Sequence, residues 1–267
     1  MKVLILTSGR KGTAGHHLPL LLDSGCCEVV AVIYSQGQVA NKWRHAWRKA
    51  RKMIRIGPLG ALNGIRMRGW FDVNGELGIK DVQQTCAERG VPFHETAAIN
   101  TRRTEELFRE SGGELGISLG NSYITPGIFN IPRLGMINIH HELLPAFQNA
   151  QSIIWQLYHG SDTTGFTIHA IDRRIDTGNI LLQRAIPIKF GPTLPATITQ
   201  TMAALIEASG EGLVHCLRHF PELAAQAKPQ GRGTAYTTPS LWQFLRIKRN
   251  WKKLVKGKVQ TAQPSRD

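Results

Sequence analysis

The sequence predicts an α/β protein with a Rossmann-like, mostly parallel open sheet flanked by helices. Two strand-like apolar segments, at residues 3–6 and 28–34, lie on either side of a short helical segment, which is the β-α-β pattern of a parallel sheet. Further along, short apolar runs continue to alternate with helical patterns. The 267 residues, 42% of them hydrophobic, are enough to bury a proper core.

The elements after this opening can be assigned in chain order. Apolar residues at helical spacing predict helices at 79–89, 103–110 and 152–159, then one long helix or a broken pair at 198–217. Short apolar runs predict strands at 91–93, 115–119, 135–140, 166–171 and 180–188. Ser152 is the expected N-cap of its helix. Residues 227–240, rich in Gly, Pro and Thr, predict a linker or a wrapping loop.

Several common kinds of site are disfavoured by the motifs. The loop after the first strand has the spacing Gly9-x-x-Gly12-x-x-Gly15, and no acid ends the second strand, so a nicotinamide-cofactor fold is disfavoured. A phosphate-binding Gly-x-x-x-x-Gly-Lys-Ser/Thr loop is also missing from the sequence. The four cysteines form no Cys-x-x-Cys pair, so we expect neither a disulfide framework nor a metal site.

The sequence also bears on where the protein works. Its longest apolar runs are far too short to cross a bilayer. Residues 1–6 begin as a core strand would and lack the features of a secretory signal. We therefore expect a cytoplasmic protein.

The formal net charge of +14 is concentrated in two stretches. Residues 42–68 contain nine basic residues and no acid, and residues 246–258 contain seven basic residues and no acid. The remainder of the chain is nearly neutral. We therefore expect a main catalytic domain at 1–240 with a basic insert at about 37–72, followed by a basic C-terminal tail at 241–267.

The basic insert has the apolar pattern of an amphipathic helix. Trp43, Trp47 and Ile54 lie on one stripe with cations beside it, which suits an anionic membrane surface or a nucleic-acid backbone. The stripe could equally pack on the body of the protein. Nucleic acid is the weaker option, because no recognition motif accompanies the charge. Peripheral contact with the inner membrane face through Trp43, Trp47 and the basic tail is therefore one hypothesis.

Candidate catalytic residues lie at the end of the strand predicted at 135–140. Asn138 and His140 are two residues apart, so their side chains leave the same face of that strand. Unpaired polar groups are costly on a buried strand, and ligands bind at the carboxyl ends of strands in open α/β sheets. Asp176 lies in a later loop that could reach both. An amide donor, a titratable base and a carboxylate are the parts needed for acyl transfer between nitrogens.

An ordered set of motifs around these residues resembles the folate-dependent formyltransferase family. The motifs are Asn138-Ile139-His140, Leu143-Leu144-Pro145, Gly165-Phe166-Thr167-Ile168-His169 and Ile175-Asp176-Thr177-Gly178, with Gln183 beyond. The resemblance spans roughly residues 115–190, and the opening β-α-β agrees only loosely. It implies the formyltransferase fold, an active site of Asn138, His140 and Asp176, and 10-formyltetrahydrofolate as the formyl donor. The histidines at 16, 17 and 169 are interpreted as surface or internally satisfied residues.

The resemblance also implies a role for each site residue. Asn138, with a protonated His140, would hydrogen-bond the developing oxyanion. His140 would relay the proton of the attacking amine, and Asp176 would orient the imidazole. The pterin would lie against two segments, at 121–124 and 172–175. Their candidate donor-binding residues are Ser122, Tyr123, Ile124, Asp172 and Ile175, while Arg173 and Arg174 could hold an anionic substrate or stay solvated.

Two departures from the family pattern bear on the acceptor. His141 and Glu142 follow the catalytic histidine, where many members have Pro or Gly and then Ser, and Gln148-Asn149 replaces a common Arg-Gly. The His-His pair also resembles formyltetrahydrofolate deformylase, a hydrolase. The favoured hypothesis is a transferase acting on a small amine, most consistent with a nucleotide- or lipid-linked amino sugar. The alternatives are that hydrolase, an activity like that of methionyl-tRNA formyltransferase, or a binding protein of the same fold.

Overall fold

The computed structural model describes residues 1–38, 42–149 and 152–262. The predicted insert and the predicted tail therefore lie partly outside the described residues, at 39–41 and 263–267. The strands are Lys2–Thr7 (β1), Glu28–Ser35 (β2), Phe93–Thr96 (β3), Leu115–Leu119 (β4), Met136–His140 (β5), Thr163–Ala170 (β6) and Ile180–Pro187 (β7).

The seven strands form one sheet in the order β3-β2-β1-β4-β5-β6-β7. The pairs among β1 to β5 are all parallel, whereas β6 and β7 run antiparallel to their neighbours. The predicted mostly parallel open sheet is thereby confirmed. Because β1, β4 and β5 are parallel neighbours, their carboxyl ends meet at one edge of the sheet.

Helices cover both faces of this sheet. They are Gly12–Ser24 (α1), Lys42–Met67 (α2), Val82–Arg89 (α3), Arg102–Ser111 (α4), Pro126–Phe129 (α5), Ile154–His159 (α6), Leu194–Arg218 (α7), Phe220–Ala225 (α8) and Leu241–Ala262 (α9), with a 3₁₀ helix at Arg68–Phe71. The residues predicted at 198–217 thus belong to one long helix. None of the helices in the described residues is both long and apolar enough to pass through a membrane.

The alternation of side chains along β1 shows how the sheet is buried. Val3 and Ile5 belong to the larger apolar cluster on one face, while Leu4 and Leu6 belong to a second cluster on the other. Successive strand residues point to opposite faces, so a strand that is apolar at every position must be covered on both sides. This accounts for the near-continuous apolar runs that predicted the strands.

Three local features differ from the sequence prediction. The third strand begins at Phe93 rather than 91, because Pro92 has no N–H and only its carbonyl pairs with β2. Helix α3 begins at Val82, where the Asp81 carboxylate caps it by accepting from the Gln83 N–H. Ser152 does not cap α6: its hydroxyl donates to the His141 carbonyl at 2.6 Å instead.

The last third of the chain wraps around the sheet edge that bears the candidate site. Lys228 pairs with Ile180, and Ala235 pairs with Gln148, so residues 228–236 join the start of β7 to the loop after β5. Helix α9 then packs against α6 and buries Phe244 and Ile247 in the larger cluster. The predicted wrapping loop at 227–240 is therefore a strap beside the candidate site.

Candidate active site

The candidate site is built on the carboxyl end of β5. Asn138 and His140 are both partly buried there, and β6 pairs with them antiparallel so that His169 lies opposite Asn138 and Thr167 opposite His140. Side chains opposite each other on paired strands share a face. The change from parallel to antiparallel pairing at β6 therefore places the His169 imidazole directly beside Asn138 and His140.

Asp176 joins this group from the loop between β6 and β7. Its Oδ2 lies 3.8 Å from His140 Nδ1, and its Oδ1 lies 3.8 Å from His169 Nε2. The residue has a φ of 56°, a left-handed conformation that aspartate tolerates better than most residues. The backbone N–H of Asn149 donates to Oδ2 at 2.9 Å and holds the carboxylate in place. The three residues of the predicted triad thus lie together.

The hydrogen bonds of His140 fix which ring nitrogen can react. Its Nε2 lies 2.9 Å from the Phe147 carbonyl oxygen, which can only accept, so Nε2 carries a proton. In the neutral ring Nδ1 is then the nitrogen with a free lone pair. That nitrogen faces the Asp176 carboxylate, which is placed to orient the ring.

His169 orients the Asn138 amide, which the sequence analysis did not foresee. His169 Nδ1 donates to the Ala170 carbonyl at 2.8 Å, which leaves Nε2 to accept from the Asn138 amide nitrogen at 3.2 Å. Burial lowers the pKa of His169, which is 3% exposed, and so favours this neutral form. One amide hydrogen of Asn138 is thereby used, and the second remains for a ligand. The pairing of His169 with Asn138 across antiparallel strands could have revealed this role.

The segment after β5 folds back over the triad. Leu144-Pro145 is a cis peptide, and the Gln183 side chain donates to the Leu144 carbonyl at 2.7 Å. Gln148 and Asn149, which form the second departure from the family pattern, both contact the Asp176 loop. Asn149 has a φ of 48°, so an asparagine stands where a glycine would adopt the same left-handed conformation. The departure preserves the backbone shape of this segment.

His141 and Glu142, which form the first departure from the family pattern, do not line the candidate site. Their side chains instead contact helices behind the sheet: His141 Nε2 lies 3.1 Å from the Ser209 hydroxyl of α7, and Glu142 bonds the Gln156 side chain of α6. Ser209 also lies 3.1 Å from His17 Nε2, so His17 is internally satisfied, as expected. Residue 141 follows the last residue of β5, and side chains alternate along a strand, so its ring lies on the face away from His140.

Burial determines the protonation of these rear residues. Burial lowers the pKa of His141 to about 4, with the neighbouring His140 as a second cause. Burial also raises the pKa of Glu142 well above its usual value. Burial thus favours the uncharged forms of both His141 and Glu142. The side chains of His141 and Glu142 therefore act as packed interior polar groups.

The two segments predicted to bind the donor lie against each other. The Tyr123 hydroxyl donates to the Arg173 carbonyl at 3.2 Å, which joins the loop after β4 to the loop that carries Asp176. Tyr123 is 42% exposed and Ile175 is 53% exposed, so two large apolar surfaces are open to solvent beside the triad. An exposed aromatic ring and an exposed branched side chain fit a flat heterocycle such as a pterin.

The other three predicted donor-binding residues differ in what they can offer. Ser122 is exposed. The Ile124 side chain is buried in the second apolar cluster, so only its backbone is available to a ligand. The Asp172 carboxylate accepts from the Thr177 hydroxyl at 2.7 Å and from the Arg174 N–H at 2.9 Å, so it shapes its own loop. Across the described ranges, no group of three or more His, Cys, Asp and Glu residues is arranged to hold a metal ion.

The fold and the site together define a class of protein. A parallel α/β sheet carries an amide, an imidazole and a carboxylate at the carboxyl ends of its strands, without a nucleophilic side chain among them. An amide donor, an imidazole and a carboxylate in this arrangement are suited to general acid–base chemistry.

Sequence comparison identifies the family. The formyl transferase family profile matches residues 84–216, and the chain belongs to the folate-dependent formyltransferase family. Methionyl-tRNA formyltransferase of Thermosynechococcus vestitus is 36% identical over 166 residues, which cover 61% of this chain and 48% of that protein. The enzyme of the same name from Deinococcus radiodurans is 33% identical over 156 residues, which cover 57% of this chain and 48% of that protein. The chain thus spans about half the length of these curated relatives.

Solved structures agree on the fold. Glycinamide ribonucleotide transformylase 1 from Symbiobacterium toebii has a TM-score of 0.56 at 19% identity, covering 87% of this chain and 92% of that one. A sugar N-formyltransferase from a Shewanella species has a TM-score of 0.55 at 15% identity, covering 94% and 87%. The N-formyltransferase from Helicobacter canadensis, solved with folinic acid and dTDP-3-aminofucose, has a TM-score of 0.54 at 15% identity, covering 95% and 82%. The formyltransferase fold is thereby confirmed.

Proposed function

We propose that the protein transfers a formyl group from 10-formyltetrahydrofolate to a primary amine on a small acceptor, namely a nucleotide- or lipid-linked amino sugar. The observation that carries the proposal is the meeting of Asn138, His140 and Asp176 at one sheet edge, with His140 Nδ1 facing the carboxylate at 3.8 Å. In this proposal residues 1–240 form the catalytic domain.

Asn138 is assigned to the oxygen of the formyl group. One hydrogen of its amide is held by His169, and the other has no partner among the described residues. When an amine adds to the formyl carbon, negative charge develops on the formyl oxygen, and a preorganised N–H donor lowers the energy of that state more than that of the ground state. Because His169 fixes the amide, the free N–H does not need to reorient during the reaction.

His140 and Asp176 are assigned to the proton. The attacking amine must lose a proton, and the leaving nitrogen must gain one. His140 Nδ1 can take up the first and deliver the second, because Nε2 already holds its own proton against the Phe147 carbonyl. The Asp176 carboxylate stabilises the imidazolium in between.

The donor would lie between the two segments joined by Tyr123. When bound, it supplies the reactive formyl carbonyl. The exposed faces of Tyr123 and Ile175 offer apolar contact to its ring system, and the side chains of Ser122 and Asp172 line the same segments. The Helicobacter canadensis neighbour holds folinic acid, a formyl-folate, in the same fold.

A second candidate acceptor also has specific support. Sugar N-formyltransferases match this fold over 94–95% of the chain. Methionyl-tRNA formyltransferases are more similar in sequence, at 36% identity over 166 residues, which favours a charged tRNA as the second candidate acceptor. The hydrolase alternative rested on the pair of adjacent histidines, His140 and His141. It has less support because the His141 ring bonds Ser209 behind the sheet.

A turnover screen distinguishes these possibilities. The full chain would be given 10-formyltetrahydrofolate with a panel of nucleotide-linked amino sugars, lipid-linked amino sugars and charged initiator tRNA, while formyl transfer and free formate are both measured. We expect rapid transfer to one amino sugar, and His140→Ala and Asn138→Ala should each lower kcat about a hundredfold or more.

The other outcomes would contradict the proposal in different ways. Transfer to charged tRNA alone would favour the second candidate. Formate release without any amine, at a comparable rate, would indicate the hydrolase. If His140→Ala changed no turnover at all, the site would not be catalytic, and a binding protein of the same fold would be the better interpretation.

A further inference from the structure

The first half of helix α2 projects into solvent with no packed face among its described side chains. Trp43 is 88% exposed, Trp47 is 65% exposed and Ile54 is 84% exposed, and these three share one helical stripe. Among the described side chains of this helix, the first buried one is that of Ile56, and Gly57 then breaks the helix with a φ of 71° and a ψ of 166°. A helix of about 15 residues is marginal in water, so an uncovered apolar stripe indicates an absent partner.

The second half of α2 is docked on one side and bare on the other. A Cβ added at Gly60 would lie 3.2 Å from Ser240 Cα, and one added at Gly64 would lie 2.7 Å from the Thr238 methyl group. Glycines four residues apart thus let the helix lie directly on the strap. The opposite side carries Leu59, Leu62 and Ile65, which are 56%, 63% and 61% exposed. The second half of α2 therefore also leaves an apolar side uncovered.

Positive charge surrounds these apolar side chains. Exposed cations flank them at Lys49, Arg51, Lys52 and Arg55, and the sequence has no acid between residues 29 and 71. Burial first, and then the charges of Arg55 and Arg68, lower the pKa of Lys52. Helix α9, which contacts α2, also has no acid and exposes Trp242 and a row of lysines and arginines. Two adjacent acid-free helices thus share a cationic environment.

We propose that this surface binds the headgroup region of an anionic phospholipid bilayer. We name it the basic apolar face and define it by Trp43, Trp47, Ile54, Leu62 and Ile65 with the cations beside them. An in-plane helix of this kind inserts its apolar stripe at the boundary of headgroups and acyl chains, while its cations attract anionic lipid. Tryptophan in particular is favoured at that boundary. The inference is independent of the acceptor proposed above.

Two other occupants fit the surface less well. A second copy of the chain would bring two acid-free cationic helices together, and like charges at an interface are unfavourable. RNA would satisfy the cations and could stack on tryptophan, but Ile54, Leu62 and Ile65 would gain nothing from a phosphate backbone. A bilayer alone uses both the charge and the aliphatic side chains.

Flotation with lipid vesicles tests the proposal on the full chain. We expect binding to vesicles of phosphatidylcholine with about 30% phosphatidylglycerol at low salt, little binding to pure phosphatidylcholine, and weakening as salt rises. Trp47→Ser with Ile54→Ser should weaken binding about tenfold or more. Lys49→Glu with Arg51→Glu should also weaken it about tenfold or more.

Matched substitutions elsewhere serve as controls. Leu134→Ser removes an apolar side chain that is 37% exposed on a different loop, and Lys189→Glu reverses an exposed charge near the end of β7; neither should change binding. The altered residues are exposed, so thermal unfolding and formyl-folate turnover in solution should be unaffected in every variant. Sedimentation of the free protein tests whether two copies associate. Competition with tRNA tests whether nucleic acid binds the same face.

Four results would overturn the proposal. The first is failure of the protein to float with anionic vesicles at low salt. The second is vesicle binding that the double substitution Trp47→Ser with Ile54→Ser leaves unchanged. The third is a dimer that the same two substitutions dissociate, which would assign the face to a second copy. The fourth is tighter binding of tRNA that only the charge reversals weaken, which would assign it to nucleic acid.

Discussion

At the scale of single residues, the amide of Asn138 has only one hydrogen to offer a ligand, since His169 holds the other. His169 in turn is fixed by the Ala170 carbonyl, so a chain of two hydrogen bonds sets the direction of the free N–H. The meeting of Asn138, His140 and Asp176 was expected from the sequence, because the motifs around them resemble those of a known family. His169 was not, because its role depends on the strand register.

Substitution of His169 tests this positioning role. His169→Leu leaves the Asn138 amide without its partner, so we expect kcat to fall about tenfold, less than for loss of Asn138 itself. His169→Gln keeps an acceptor and should recover most of that loss. Steady-state kinetics should show the change in kcat with little change in KM for the donor. Equal loss in both variants, tracking a lower melting temperature, would show a merely structural role.

Glu142 offers a second test, through the pH dependence of stability. Its pKa is raised in the folded protein, so the carboxyl is favoured in its neutral form, and the folded state loses stability as pH rises above the unfolded value near 4.5. Within the described residues, Glu142 Oε1 and Gln156 Oε1 have no hydrogen-bond partner.

Glu142→Gln would replace the ionisable group by an amide that can pair with Gln156. We expect this variant to gain about 1 kcal/mol of unfolding free energy at pH 7 relative to the parent protein, with the gain vanishing below pH of about 4.5. Urea denaturation at several pH values would measure it. A gain of the same size at every pH would contradict the assignment of a raised pKa.

At the scale of elements, the switch from parallel to antiparallel pairing at β6 decides where the site forms. Apolar periodicity was sufficient to predict β4 and most of the helices, since their burial pattern follows the local sequence. The start of β3, the cap of α6 and the burial of His141 and Glu142 were not predictable, because each depends on a partner distant in the chain.

The loop that carries Asp176 is held by a close backbone approach at Gly178. A Cβ at this position would lie 1.9 Å from the Ala170 carbonyl oxygen. Gly178→Ala should therefore push the loop away from β6, destabilise the fold by about 1–3 kcal/mol and lower kcat about tenfold or more by moving the carboxylate. Gly75→Ala is the matched control, because a Cβ there meets nothing within 4 Å. Unchanged turnover in Gly178→Ala would mean that the Asp176 position is unimportant.

At the scale of the whole molecule, the family match and the charged helices occupy different parts of the chain. The profile covers residues 84–216, whereas α2 and α9 lie outside it. The charge pattern of the sequence also sets residues 42–68 and 246–258 apart from the rest of the chain. It left open whether the apolar residues of the tail pack on the body, and Phe244 and Ile247 of α9 are buried in the main core.

Binding of a formyl-folate should stabilise the whole fold. At a concentration of about a hundred times its Kd, folinic acid should add about 2.7 kcal/mol to the unfolding free energy and raise Tm by about 5–10 °C. Tyr123→Ala with Ile175→Ala should reduce that shift, whereas Leu134→Ala should not. Thermal scans with and without the ligand would check both. An equal shift in all three proteins would place the ligand elsewhere.

The angle at which the first half of α2 leaves the body is set by Gly57. The φ of 71° and ψ of 166° at this position fall in a region that is essentially reserved for glycine. One added methyl group there would therefore strain the bend. The angle at which Trp43 and Trp47 would approach a bilayer thus depends on Gly57.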